Sequence, residues 1–131
     1  MITEDYVSFE TAELLKETGF DEECIGFYTP EKEIHFTFLG ETNSTWLDDS
    51  ISAPTLQMAM KWLRGVHHLH IDIVRGPKGY HPWIQTVPLG VNIVAPSDIL
   101  GIKTVGLWRV SVDTYEEACE AGIRYCLENI V

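Results

Sequence analysis

The stretch that most constrains this chain is His68 to Val87. Two runs of strand composition, His68 to Val74 and Tyr80 to Val87, are separated only by Arg75-Gly76-Pro77-Lys78-Gly79. So short a connection joins antiparallel neighbours, because a parallel pair needs a crossover of about a dozen residues or more. A turn over Gly76 to Gly79 pairs Arg75 with Tyr80, and therefore Val74 with His81, Asp72 with Trp83 and His70 with Gln85. Alternate strand residues share a face, so His68, His70, Asp72, His81, Trp83 and Gln85 are expected together on a polar face. Leu69, Ile71 and Ile73 point the other way.

Helices flank this hairpin. Ser8 precedes Phe9-Glu10-Thr11-Ala12-Glu13-Leu14-Leu15-Lys16 and Gly19 follows, which predicts a helix of about ten residues. Ser8 is its N-cap, the early acids suit the dipole, and Gly19 is its left-handed stop. Val7 can staple onto Ala12, and Phe20 can fold back behind the stop. Residues 21 to 32 read as an acidic turn region. Ile34, Phe36 and Phe38 alternate with His35, Thr37 and Leu39, which predicts a half-buried strand ending at Gly40. The polar run ETNSTWLDDS has no period; its Trp46 is either a plug over the core rim or an anchor for a partner. SAPTLQMAMKWLRGVHH is the clearest helix, with Pro54 in its first turn and Leu56, Ala59, Met60, Leu63 and Val66 on one stripe. Met58 and Met60 read as core filling, and Trp62 lies at the stripe's edge. LGVNIVAPSDILGIKT is an extended loop or short irregular strand pair, and Val105 to Val112 a last strand. Thr114 and Glu117 form a capping box for a final helix to about Asn129, with Ala118, Cys119, Gly122, Ile123, Cys126 and Ile130 inward. These elements predict one α+β domain over residues 1–131, with a small, mostly antiparallel sheet of about four strands and three helices packed on one face.

Charge is distributed unevenly. The 131 residues carry 9 Lys+Arg against 20 Asp+Glu, a net charge of −11. Residues 1 to 50 hold 13 acids and only Lys16 and Lys32, whereas residues 51 to 131 carry seven of each sign. So acidic a surface repels a phosphate backbone, which argues against direct nucleic-acid binding. It suits a solvated face or an acidic face for a basic partner, as in imitation of nucleic acid. Three cysteines, Cys24, Cys119 and Cys126, cannot close a complete disulfide framework and fit a reducing, cytoplasmic compartment. Cys119 and Cys126 stand two helical turns apart, about 10 Å, too far to bridge. No secretory leader is expected from MITEDYVSFE, and no run of 18 apolar residues marks a membrane span. The sequon Asn43-Ser44-Thr45 carries no meaning in a cytosol.

The fingerprints of common cofactor and hydrolase classes are absent: no P-loop, GxGxxG, HExxH, Gly-x-Ser-x-Gly or CxxC. No cofactor is expected. The chemically suggestive residues are the candidate binding set His70, Asp72, His81 and Trp83 on the hairpin. His68, His70 and Asp72 could imitate a facial metal triad. Same-face residues stand about 7 Å apart, however, and converge poorly on a metal at about 2 Å. A carboxylate beside His70 or His81 would raise the imidazole pKa and orient the ring for acid/base work. Nothing in the sequence supplies a nucleophile or an oxyanion site beside them.

Three segments, ITEDYVSFETAELLKETGFDEEC, APTLQMAMKWLR and DTYEEACEAGIRYCLENIV, together resemble a family of short uncharacterised proteins of gut Bacteroides-type bacteria and of their phages and mobile elements. The matching positions, Ser8, Gly19, Pro54, Trp62, Leu63, Thr114, Glu117 and Tyr125, are caps and helix stripes, which specify a fold. The resemblance implies a small intracellular accessory protein, of a bacterium or of its phages and mobile elements, without implying an activity. Residues 28 to 50 and 86 to 112 depart most from the family pattern. The expectation is a non-enzymatic interaction module acting on an unknown protein partner or by self-association, the latter suggested by the apolar content of residues 88 to 105. The alternative is a metal-binding or hydrolytic enzyme using the His/Asp face of residues 68–85. The first class leaves those side chains on an open face, and the second encloses them in a pocket.

Overall fold

The computed structural model describes residues 2–87, 92–94, 99–100 and 111–131. In chain order its elements are α1 (Phe9–Glu17), β1 (Cys24–Tyr28), β2 (Ile34–Glu41), β3 (Ile51–Ser52), α2 (Leu56–Val66), β4 (Leu69–Gly76), β5 (Gly79–Thr86), β6 (Asn92–Val94) and α3 (Tyr115–Tyr125), which runs on into a π-helical turn at Cys126–Ile130. The class is α+β. Instead of one sheet of about four strands, the described residues form two antiparallel sheets of three, ordered β2-β1-β3 and β4-β5-β6. The chain falls into two compact units, Met1–Ala59 and Met60–Val131, with the division inside α2.

In the first unit, α1 is bounded as its sequence predicts. Ser8 is extended (φ −68°, ψ 165°), and its hydroxyl accepts from the Thr11 N–H at 3.2 Å. At the other end Gly19 takes φ 97°, its N–H donates to the Lys16 carbonyl at 3.2 Å, and the Phe20 N–H donates to Leu15 at 2.8 Å. This paired 5→2 and 6→1 closure satisfies two orphan carbonyls and turns the chain so that Phe20 is buried. Val7 and Ala12 are both buried as the staple requires. The acidic region 21 to 32 contains β1, a strand that composition concealed. Gly26 is central in it: an added Cβ would stand 2.9 Å from the Ala53 carbonyl and 3.3 Å from the Phe36 ring. Tyr6 and Phe36 meet edge-on there at 5.0 Å, and the Tyr28 hydroxyl donates to the Val7 carbonyl at 2.7 Å.

The helix after Pro54 starts later than expected. Thr55 caps it, its carbonyl accepting from Ala59 at 3.0 Å and its hydroxyl from the Met58 N–H at 3.1 Å, so Pro54 precedes the helix. Leu56, Ala59, Met60 and Leu63 are buried, and so is Trp62, whereas Val66 is exposed. The stripe is therefore centred nearer Trp62 than the apolar spacing suggests. Met58 is partly exposed, its sulfur 3.8 Å from Cys24 Sγ.

In the second unit, β4 and β5 pair in the predicted register from Leu69↔Thr86 to Gly76↔Gly79, around a two-residue Pro77-Lys78 turn. β6 adds to the other edge of β5, where Tyr80 also bridges Val112. The strand expected over Val105 to Val112 lies outside the described residues except for Ser111 and Val112, as does most of residues 88 to 105. α3 packs on β4 and β5 through Gly122, where an added Cβ would stand 2.8 Å from Ile71 Cγ2. Thr114 caps it, accepting from the Glu117 N–H at 3.0 Å and donating to the Glu117 carboxylate at 3.2 Å. Ala118, Cys119, Gly122, Ile123 and Cys126 are buried. Leu127, one turn beyond Ile123 on the same stripe, is buried where Ile130 is only partly so, and the chain closes in a π turn with the Val131 N–H on the Cys126 carbonyl at 2.9 Å.

Candidate functional site

Of the hairpin candidates, the structure brings His70, Asp72, His81 and Trp83 onto one strand face in the expected register. It covers them unequally. Asp72 is exposed, His70 and Trp83 are half-buried, and His81 is only 3% exposed. The His81 and Trp83 rings lie 6.5 Å apart, and Gly76, opposite the turn, leaves room for the imidazole, which an added Cβ would approach to 3.4 Å. His81 Nδ1 and Trp83 Nε1 are buried without a hydrogen-bond partner among the described residues. Burial pushes the His81 pKa below the usual imidazole value, the reverse of the rise expected from a neighbouring carboxylate. His68 leaves the set altogether. It takes φ 57° and is exposed between α2 and β4, so strand alternation begins only at Leu69. Among the described residues no group of three His, Cys, Asp or Glu side chains is placed to hold a metal ion.

The cysteines are likewise recessed. All three are free and buried, and desolvation pushes the Cys24 thiol up to about 11 and that of Cys126 to about 12. At neutral pH such thiols carry little nucleophilic thiolate.

The first unit holds a better-formed site in the run 41–52, which has no sequence period because side chains shape it. Asn43 is a clamp: its Nδ2 donates to the Phe20 carbonyl at 2.7 Å, and its Oδ1 accepts from the Ser52 N–H at 2.8 Å. Asp21 takes both the Ser44 N–H at 2.8 Å and the Ser44 hydroxyl at 2.9 Å, which holds its carboxyl below the ordinary value. Thr42 and Thr45 close a local turn, the Thr42 N–H donating to Thr45 Oγ1 at 2.9 Å. The Thr45 hydroxyl lies 2.7 Å from Glu41 Oε2 and can donate to it.

These bonds present Trp46. Its Nε1 donates to the buried Ser52 hydroxyl at 2.7 Å, and its ring lies 4.6 Å from Phe27, which in turn stacks at 5.9 Å on His35 across the β1–β2 ladder. Trp46 is thus both the rim plug and part of a surface. A groove of about 310 Å3 runs over it, lined by Phe27, Trp46 and Leu47 with Thr37, Glu41 and Asp48 at its sides.

β2 borders this groove and forms the edge of its sheet. It is not the half-buried strand of the sequence reading. Phe36 is 54% exposed, Leu39 77%, and Phe38 completely. The ladder explains why: Gly26 pairs with Phe36 and Cys24 with Glu41, so residues 37 to 40 have far too few partners and bulge outward. Thr37 braces the bulge, its hydroxyl placed to accept from the Leu39 N–H at 3.2 Å and donate to the Leu39 carbonyl at 3.1 Å. Sequence reasoning missed Phe27, Glu41 and Asp48 as site residues. The available signal was the run Phe36 to Leu39, which is apolar at neighbouring positions where a two-faced strand alternates.

Comparison with protein-family models, with curated proteins and with solved structures finds no match.

Proposed function

We propose that this protein is a non-enzymatic interaction module that receives a basic, extended segment of a partner protein along β2. The observation that carries this reading is the bulged edge strand with Phe36, Phe38 and Leu39 exposed. An edge strand offers unpaired backbone donors and acceptors to an added strand, and proteins that do not use such edges blunt them with charge, Pro, bulges or cover; the bulge of β2 confines its regular edge to residues 34 to 36. Here the edge carries large apolar groups.

Charge selects the occupant. Residues 1–59 carry 13 acids against two lysines, so a second copy added at β2 would bring two strongly negative units together, whereas a basic segment is attracted. Three buried, unbridged cysteines support a reducing compartment as the setting. No helix among the described residues is long and apolar enough to cross a membrane. The resemblance of the terminal and middle segments supports an accessory protein of a bacterium or its mobile elements. The exposure of Asp72 and the separation of His68 from the hairpin face weigh against the hydrolytic or metal alternative.

The test is a photo-crosslinking benzoylphenylalanine at position 38, irradiated in cells that make the protein, with the crosslinked segment sequenced by mass spectrometry. A segment of net positive charge with strand composition is the expected product. A crosslink to another copy of this chain, or to a neutral or acidic segment, would overturn the reading.

A further inference from the structure

We propose that the groove over Trp46 receives an arginine side chain of the segment bound at β2, an inference that rests on the β2 reading and names what the groove selects. Thr37 and Glu41 belong to β2 and also line the groove, so a side chain from a strand added at that edge has a short path into it. The lining combines an aromatic base with two carboxylates. A guanidinium is planar and weakly hydrated, stacks on aromatic faces and pairs with carboxylates through a fixed fork of donors, whereas an ammonium is compact and strongly hydrated.

The groove is built before any ligand arrives. The indole is held at one edge by Ser52 and against Phe27, and the Glu41 carboxylate by the Thr45 hydroxyl, so little side-chain freedom remains to be lost on binding. Neither lysine of the first unit lines it. Lys32 Nζ sits 5.2 Å from the centre of the Phe9 ring, and Lys16 lines a separate groove with Phe9 and Glu13. Glu41 and Asp48 thus flank aromatic surface with no cation among the lining residues of the groove.

The experiment uses the full chain, nitrogen-15 labelled, titrated with short acetylated and amidated peptides that alternate valine with arginine, with lysine or with glutamine. All are expected to shift the backbone amides of residues 34 to 39. The arginine peptide should in addition move the Trp46 indole N–H resonance and bind about tenfold more tightly than the glutamine peptide, equivalent to about 1.4 kcal/mol. Combining Glu41→Gln, which keeps an acceptor for Thr45, with Asp48→Asn should erase that margin, so that the arginine and glutamine peptides bind the variant alike. If arginine and glutamine peptides bind alike while the β2 amides shift, the groove inference falls and the β2 reading stands. A lysine peptide equal to the arginine one overturns the choice of guanidinium. If the arginine peptide moves Trp46 but no peptide shifts β2, the β2 reading falls and the groove remains an arginine site. Silence from all the peptides overturns both.

Discussion

At the scale of single residues, two helical glycines of the same type have opposite environments. Gly65 is exposed in α2 with nothing within 4 Å of an added Cβ, so Gly65→Ala removes backbone freedom from the unfolded chain at no steric cost and should stabilise by ~0.5–1 kcal/mol. Gly122 meets Ile71 Cγ2 at 2.8 Å and Pro82 Cβ at 3.3 Å, and Gly122→Ala should destabilise by ~1–3 kcal/mol as α3 is pushed from its sheet. Urea midpoints of the two variants, moving in opposite directions from wild type, check both. His81 supplies a pH dependence whose sign follows from its burial. The unfolded chain protonates this imidazole near pH 6.5, and the folded chain only at a lower pH. Between those values the unfolded state binds more protons, so stability falls as pH drops below about 6.5 and the His81 contribution levels off below the folded value. Urea unfolding across that window should show a shallower fall for His81→Phe than for wild type; parallel profiles would show that the imidazole titrates alike in both states.

At the scale of elements, β2 tests whether exposed apolar residues serve the fold or something else. Phe38 and Leu39 lie on the outward bulge, so the neutral pair Phe38→Ser with Leu39→Ser should leave the thermal unfolding free energy within about 0.5 kcal/mol of wild type. The same pair should abolish the position-specific binding expected at β2. A large loss of stability would instead show that these side chains are covered in solution. The contrast between elements shows which physics a sequence exposes. α1, α3 and the β4–β5 hairpin were legible because their determinants are local: a cap three residues from its donor, a glycine at the left-handed stop, a turn too short for any other pairing. β1 and β3 were not legible, because a short strand beside acids and a two-residue strand are stabilised by their neighbours in the sheet. Alternation predicted that Phe36 and Phe38 form a strand, but it carries no information about what covers either face. The same limit hid the burial of His81, whose register was correct and whose environment was not. Trp46 was visible as a rim plug or an anchor; its companions Phe27, Glu41 and Asp48 were not, because the Asn43 clamp joining Phe20 to Ser52 assembles the loop from parts distant in sequence.

At the scale of the whole molecule, the net charge of −11 belongs entirely to one of the two units, since residues 60–131 carry seven charges of each sign. Concentrated like charge raises the free energy of a compact state, and dissolved salt relieves it within a Debye length of about 30 Å at 0.01 M and about 3 Å at 1 M. Thermal stability should therefore rise as sodium chloride is raised from about 0.01 M to about 0.5 M, a range over which that screening length shortens several-fold. The exposed acids Glu22 and Glu31 allow the origin of the effect to be located. Glu22→Lys with Glu31→Lys should raise the low-salt midpoint and flatten the salt dependence. Asp72→Lys with Asp113→Lys, equal in charge change but at exposed positions of the balanced unit, should leave the salt dependence close to that of wild type. Salt curves that respond equally to both pairs would mean that repulsion is shared by the whole chain. A response confined to the first pair would show that unit holding an unneutralised field of its own, the condition under which a basic partner gains most from binding β2.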